Sequence, residues 1–345
     1  MRTHGLLPPL LGLAAIVLLL AGLSAAAPLM APLSFALFLI AAAQPLQARL
    51  ERRLPRALAL LVTLLGIVAV IGGFCLLAVW AVSRAGWWVT ENGARILALY
   101  STATALLDSQ GLDMAAALAG QLDIALALRT ARSLAGYLQG FVNFVVLMLI
   151  LVLLGLPEAG PMASRLAALG GAARRAALLR VGHAVARQFQ RYLLVRTAMS
   201  LATGLAVYAI AWAFRLDLAL EWGVLAFVLN YLPFIGPLVA TVLPTLLAAV
   251  QFHSFAAAAL VMLAMIAVQN LIGSYVEPRV AGSALAISPF IVLLSVLLWT
   301  YLWGIPGAFL GVPISIALVE GCAADPRSRW FAAMLSPGVD EAADR

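Results

Sequence analysis

The sequence predicts an all-α, polytopic integral membrane protein of about eight membrane segments, with proline- and glycine-broken helices in its C-terminal half. Three observations predict it. The 345 residues are 65% hydrophobic and only 10% charged, where a soluble domain is roughly 45–50% apolar and about 25% charged. The apolar residues come in runs near the ~20 residues that a helix needs to cross hydrocarbon. Two late runs carry Pro and Gly in their middles, NYLPFIGP at Asn230–Pro237 and WGIPG at Trp303–Gly307. Helices rarely break in lipid, because an unpaired backbone group there costs several kcal/mol. Breaks survive inside protein or beside a watery cavity, and paired breaks point to a transporter's substrate site.

Residues 1–56 hold two runs, Leu6–Ala27 and Leu29–Leu46, and a basic loop. They read as an N-terminal transmembrane hairpin followed by a cytoplasmic loop. Pro8, Pro9, Pro28 and Pro32 are placed near segment ends, where proline is tolerated. A signal peptide is the alternative for residues 1–27, since Arg2 leads an apolar run that ends in Ser24-Ala25-Ala26-Ala27.

Residues 57–82 (Ala57–Val82) and 141–156 (Phe141–Leu156) read as simple transmembrane helices. Between them, residues 83–140 alternate small apolar residues with scattered charges, as in Ile96-Leu97-Leu99-Tyr100 and Leu122-Ile124-Leu126-Leu128. That pattern suits extracytoplasmic amphipathic helices. Trp87 and Trp88 suit the aromatic belt at the membrane boundary. Residues 157–197 read as a cytoplasmic, Arg-rich amphipathic helix with Arg174, Arg175, Arg180, Arg187 and Arg191 among Leu178, Leu179, Val181, Val185 and Phe189. It serves either as a charged linker that fixes topology or as a sensor of anionic lipid.

Residues 198–321 form the interrupted core, with runs Ala198–Phe214, Trp222–Val250, Phe255–Val276 and Ile287–Val319, and residues 322–345 form a cytoplasmic tail. The halves Trp222–Leu232 and Leu238–Val250 are 11 and 13 residues, each short of the ~30 Å core at ~1.5 Å per residue. Two topologies follow. Either each broken run crosses once, or each enters and returns as a hairpin.

Charge sets orientation. The formal charge is +7, and all 21 basic residues are Arg. Loop 47–56 carries net +3 and loop 157–197 net +6, against zero for 83–140 and −1 for 215–221. Arg-rich loops stay in the cytoplasm, so the Arg49 and Arg174 loops face inward together and the amino terminus is cytoplasmic. The basic excess belongs to loops beside apolar spans, which argues for membrane orientation and against a nucleic-acid partner. Cys75 and Cys322 stand far apart in sequence within or beside apolar segments and are expected to be free thiols.

Candidate chemistry is sparse. Asn230, ahead of Pro233, joins a polar amide to a helix break whose exposed peptide groups bind polar ligands or ions; alternatively it caps its own helix. Gln269 and Asn270 are neighbours in an apolar helix, where a buried amide needs a partner. Glu277-Pro278-Arg279 is the sharpest charged feature of the membrane half, and charges there either pair or serve function. Pro278 disfavours helical geometry at Glu277. Gly307-xxx-Gly311 and Gly136-xxx-Gly140 are read as close helix contacts. The chain has no Lys and hence no P-loop, and HExxH and GxSxG do not occur. No nucleophile–base pair, metal site or cofactor site is expected.

The chain resembles the autoinducer-2 exporter (AI-2E) family of bacterial membrane proteins. The residues that carry the resemblance are NYLPFIGP at 230–237, VEPRVAG at 276–282, Ser288-Pro289 and LLWTYLWGIPGAFLGVPI at 297–314. Leu232-Pro233 stands where the family pattern has Ile-Pro. The resemblance implies a multi-pass inner-membrane carrier that exports a small polar solute, an autoinducer-2-like signal in quorum sensing, as a homo-oligomer (pentamers among relatives). The motif positions carried over are Asn230, Pro233, Gly236, Pro237, Glu277, Pro278, Arg279, Gly304, Pro306, Gly307 and Pro313. On this reading the two breaks meet near mid-membrane, and their peptide groups, with Asn230 and Asn270, hold the solute. Glu277 and Arg279 form a gate pair or sense a coupling ion, proton or sodium. The rivals are a sodium/proton antiporter and a non-transporting membrane scaffold.

Overall fold

A computed structural model describes residues 7–109, 124–168, 172–281, 288–324 and 328–335. All regular structure among the described residues is helical. The helices are α1 Leu7–Ala25, α2 Ala27–Leu50, α3 Arg56–Glu91, α4 Gly93–Ser109, α5 Ile124–Ala168, α6 Ala172–Ala213, α7 Ala219–Leu229, α8 Ile235–Phe252, α9 Phe255–Asn270, α10 Glu277–Ala281, α11 Pro289–Trp303, α12 Ile305–Ala324 and α13 Arg329–Leu335. A wider π-helical turn, Leu271–Val276, joins α9 to α10. Seven helical segments among the described residues are long and apolar enough to span a membrane. The segments Leu10–Ala25, Ala219–Leu229 and Phe290–Trp303 are apolar but shorter.

Helices outrun the apolar runs that announced them. Ala57–Val82 sits within the 36-residue α3, Phe141–Leu156 within the 45-residue α5, and all but the last residue of Ala198–Phe214 within the 42-residue α6. A helix keeps its internal hydrogen bonds across the membrane boundary, so hydrophobicity marks the span and not the helix end. Pro32 lies inside α2 rather than at a segment end, and Pro45 does too. α1 and α2 are separated by Ala26 alone, at φ −83° and ψ 3°. One residue so near the helical region bends the path, where the sequence suggested a hairpin. Residues 110–123, with Leu122, lie outside the described residues, as do Gly282 and the end of the tail. The side chains of Arg174, Arg175 and Leu178 lie outside them as well.

The chain divides into two compact units, residues 1–68, 144–193 and 283–345 in one and residues 69–143 and 194–282 in the other. In the first, Phe35 packs against Phe144 and Phe309, and Phe38 against Phe189. Gln190 Nε2 donates to Ala41 O at 3.0 Å, Gln188 Nε2 to Glu320 Oε1 at 2.6 Å, and Arg56 Nη2 to Pro157 O at 3.0 Å. The last bond brings the two Arg-rich loops to one end of this unit, as their shared charge predicts.

α11 and α12 in this unit form an antiparallel pair. A Cβ on Gly307 would stand 1.8 Å from Trp299 O, and one on Gly311 would stand 3.1 Å from Val296 Cα. Farther from the turn, the Ser295 hydroxyl donates to Gly311 O at 2.7 Å and shares a short hydrogen bond with the Ser315 hydroxyl. The reversal rests on Gly304, at φ 65° and ψ −143°, a conformation essentially restricted to glycine. The Gly307-xxx-Gly311 spacing is therefore a packing device. Around Gly140 a Cβ would meet nothing within 4 Å.

The second unit has its core where α6, α7, α8 and α9 pack, around Val207, Trp222, Ala226, Ala240, Leu247, Val261 and Met265. α6 and α7 touch through glycine: a Cβ on Gly204 would lie 2.8 Å from Gly223 O, and one on Gly223 would lie 2.7 Å from Tyr208 Cβ. α7 and α8 are a second hairpin. At its base, Gln251 Oε1 accepts from Asp217 N at 2.8 Å, and Gln251 Nε2 donates to Arg215 O at 2.9 Å. At its tip, a Cβ on Gly236 would lie 1.9 Å from Leu229 O.

The base is reinforced from α3. Trp88 Nε1 donates to Asp217 Oδ2 at 2.9 Å, and Arg84 Nε reaches the buried Glu221 at 3.1 Å. The neutral and the acidic loop thus share one end of this unit. Each broken run folds into a pair of helices, α7 with α8 and α11 with α12.

Gly307→Ala is expected to destabilise the protein by about 3 kcal/mol, the cost of overpacking against fixed backbone. Gly66→Ala, in open space on α3, is expected to raise stability by up to about 1 kcal/mol. Thermal unfolding of both variants in the same micelles checks the contrast.

Candidate functional site

α6 places Arg196, Ser200 and Thr203 four and three residues apart, hence on one face. Their exposures are 8%, 0% and 1%, so a polar stripe lies buried in a membrane helix. The NYLPFIGP break docks on this stripe. Asn230, 6% exposed at the end of α7, donates from Nδ2 to Ser200 Oγ at 3.1 Å. Its side chain therefore joins two helices and does not cap its own. Tyr231 donates its hydroxyl to Thr197 Oγ1 at 2.8 Å. Its ring sits edge-on to Phe74 and Phe227, with centroids 5.3 and 5.8 Å away.

Beyond Tyr231 the chain makes a very tight turn. Ile235 N donates to Pro233 O at 2.7 Å around Phe234, which holds φ 64° and ψ −49°. This is a γ-turn of the rare, strained hand. Strain of this sort persists only where the surroundings over-determine it. Pro233 and Gly236 are buried, Pro237 is half-buried, and Phe234 is exposed. Arg215, Leu218 and His253, at the hairpin's base, also have positive φ.

Several peptide groups of this break are engaged. Val228 O accepts from Tyr231 N, Leu229 O from Leu232 N, and Leu232 O from Gly236 N. Leu238 N donates to Phe234 O, and Pro237 has no N–H to offer. Turn bonds of the i to i+3 type absorb the groups that a helix end would otherwise leave open. The break thus supplies geometry, and its neighbouring side chains supply the polar chemistry.

Glu277 pairs with Arg196, whose Nη1 lies 3.3 Å from Glu277 Oε1. Arg279, the partner suggested by sequence, is exposed. Residues two apart on a helix do not face each other, so Glu277 turns to α6. Glu277 is helical, at φ −56° and ψ −47°, despite preceding Pro278. A π-helical turn lies just before it, ahead of a residue that has no backbone N–H to donate.

Asn270 is exposed, and its Nδ2 bonds back to Ile266 O at 3.0 Å on its own helix. Gln269 Nε2, Thr203 Oγ1 and Arg196 Nε are buried without a hydrogen-bond partner. In the other unit, Gly304 is exposed, Pro306 half-buried, and Gly307 and Pro313 buried. Trp303 Nε1 there donates to Leu23 O at 3.1 Å. Cys75 and Cys322 are both free thiols.

Sequence reasoning counted Arg196 among the loop charges and missed its role. The signal was present as the 196, 200, 203 spacing, but an apolar-run search stops at the last charge and began this span at Ala198.

The AI-2E family transporter pattern matches residues 13–324. A putative transport protein of Haemophilus influenzae is 27% identical over 96% of this chain and 97% of its own length. The AI-2 transport protein TqsA of Escherichia coli K12 is 30% identical over 87% of each chain. The putative transport protein YhhT of the same organism is 33% identical over 45% of this chain and 44% of its own.

A double-mutant cycle on Asn230→Ala and Ser200→Ala is expected to give a coupling energy of about 0.6 kcal/mol, the usual worth of a polar contact between membrane helices. Unfolding in micelles reads it. Purely additive losses would separate Asn230 from α6.

Proposed function

We propose a function from one premise: the chain belongs to the AI-2E transporter family, and is therefore a multi-pass membrane transport protein rather than an enzyme. The proposed activity is movement of a small polar solute, an autoinducer-2-like signal, out across the bacterial inner membrane. The amino terminus is taken as cytoplasmic, and the working form as a homo-oligomer. Transport proceeds by alternating access of the interrupted-helix core, driven by the solute's own gradient or by a coupling ion, proton or sodium.

One observation carries this reading. The α7–α8 hairpin holds its strained tip against a buried polar stripe, Arg196–Ser200–Thr203, through Asn230, and on this reading it enters the bilayer and returns. Buried polar groups in a membrane helix are expensive and mark solute or ion pathways. A hairpin with one end tied by Gln251 and the other by side-chain contacts can move as a body. The name of the Escherichia coli relative lends the autoinducer-2 class. The sodium/proton antiporter and the scaffold gain nothing from the comparisons.

Inside-out vesicles bearing the protein are expected to accumulate autoinducer-2 faster than vesicles without it. An imposed proton or sodium gradient is expected to change that rate if an ion is coupled. Gly236→Val, which forces side-chain atoms onto Leu229 O, is expected to abolish the difference. Equal uptake with and without the protein would refute the proposal.

A further inference from the structure

We propose that Arg196 is the solute-binding cation of this transporter, and that its solute is a small hydroxylated oxyanion, a carboxylate or phosphate, which Arg196 exchanges for the carboxylate of Glu277. The inference rests on the transport reading above and goes beyond the autoinducer-2 class named there by giving the solute an anionic group.

Arg196 is built in more deeply than a loop arginine. Its side chain is 9% exposed, against 31% for Glu277. A guanidinium is a rigid fork of five donors suited to a planar, two-toothed acceptor. Here it makes a single bond to Glu277, at 3.3 Å, whereas charge-assisted bonds normally measure about 2.7–2.9 Å. Its Nε is buried and has no partner. An arginine whose only task were structural would be expected to close this fork, because a buried unmet donor costs about 1–3 kcal/mol. The unused edge fits a second oxyanion better than the present pairing does.

The rest of the stripe fits hydroxyl groups. Thr203 lies two helical turns along the same face, with its own hydroxyl buried and unpartnered. Ser200 lies between and already takes the Asn230 amide. A solute with an oxyanion at one end and hydroxyls along its length matches a cation followed by hydroxyls. A neutral solute has nothing to offer the guanidinium in exchange for Glu277. Sites built to bond a charged or polar group discriminate strongly against analogues that lack it.

Glu277 has room to yield. It is half-buried and follows the π-helical turn Leu271–Val276. Such turns have looser backbone bonding and recur at functional sites. Arg279 is exposed nearby in sequence and offers the released carboxylate a cation only if the helix turns.

The test compares ribose with ribonate, which share a carbon chain and differ by the carboxylate. The protein is reconstituted in phosphatidylcholine vesicles, whose headgroups bring no net negative charge to compete for the guanidinium. Wild type is expected to move ribonate at least about tenfold faster than ribose. The double variant Arg196→Gln with Glu277→Gln removes both charges together and so leaves no orphan ion to unfold the protein. In it the ribonate-to-ribose ratio is expected to fall to about one. Glu277→Gln alone is expected to lower the half-saturating ribonate concentration about tenfold, since the competitor is gone. An unchanged ratio in the folded double variant would overturn the inference and leave the pair a structural one. Immobile ribonate in wild type would overturn it as well. Autoinducer-2 uptake by the same vesicles tests the transport reading separately, so that reading stands or falls on it whatever ribonate does.

Discussion

Every peptide group that enters hydrocarbon must find a hydrogen-bond partner within the protein. A continuous helix meets this requirement by itself. A broken helix does not, and the two hairpins of this chain are two solutions to that problem. In each, a glycine presses its bare Cα against a carbonyl of the preceding helix, Gly236 against Leu229 and Gly307 against Trp299. In each, a proline stands next to that glycine, Pro237 after one and Pro306 before the other. The glycine admits the close reversal, and the proline removes an N–H that would otherwise need an acceptor.

The same economy governs the polar side chains. Asn230 is affordable at the end of α7 because Ser200 meets it across the helix pair. Glu221, buried at the hairpin's base, is held by Arg84 from α3. Arg196 and Glu277 neutralise each other, but incompletely in hydrogen bonds. Structural polar groups in this unit are satisfied, and the few unsatisfied ones gather on α6 and near the end of α9. That contrast separates groups that hold the hairpin from groups with capacity for a solute.

Much of this was legible in the residues. Composition and run length disclosed a helical membrane protein, and Pro and Gly inside apolar runs located both breaks to the residue. Arg counts paired the loops that the structure brings together. What escaped notice depended on three-dimensional neighbours. Gln251 reads as an ordinary helix-end amide until Arg215 and Asp217 appear beside it. Glu277 seemed suited to Arg279 because they are close in sequence, whereas helical geometry sends them apart and Arg196 comes from 81 residues away. Asn270 looked like a ligand-binding amide, yet it bonds its own backbone and faces outward. The peptide groups at the first break looked open because turn bonding leaves no trace in composition.

The re-entrant hairpin is the feature on which the account turns, and sidedness tests it most directly. In a background with Cys75 and Cys322 replaced by Ala, single cysteines at Leu220, His253 and Tyr275 mark the base of the hairpin on both arms and the π-helical turn beyond α9. A membrane-impermeant maleimide is applied to sealed vesicles of each orientation. Labelling of positions 220 and 253 from one side, and of position 275 from the other, is the predicted result. Labelling of 220 and 253 from opposite sides would contradict it, because residues 222–250 would then cross the membrane once.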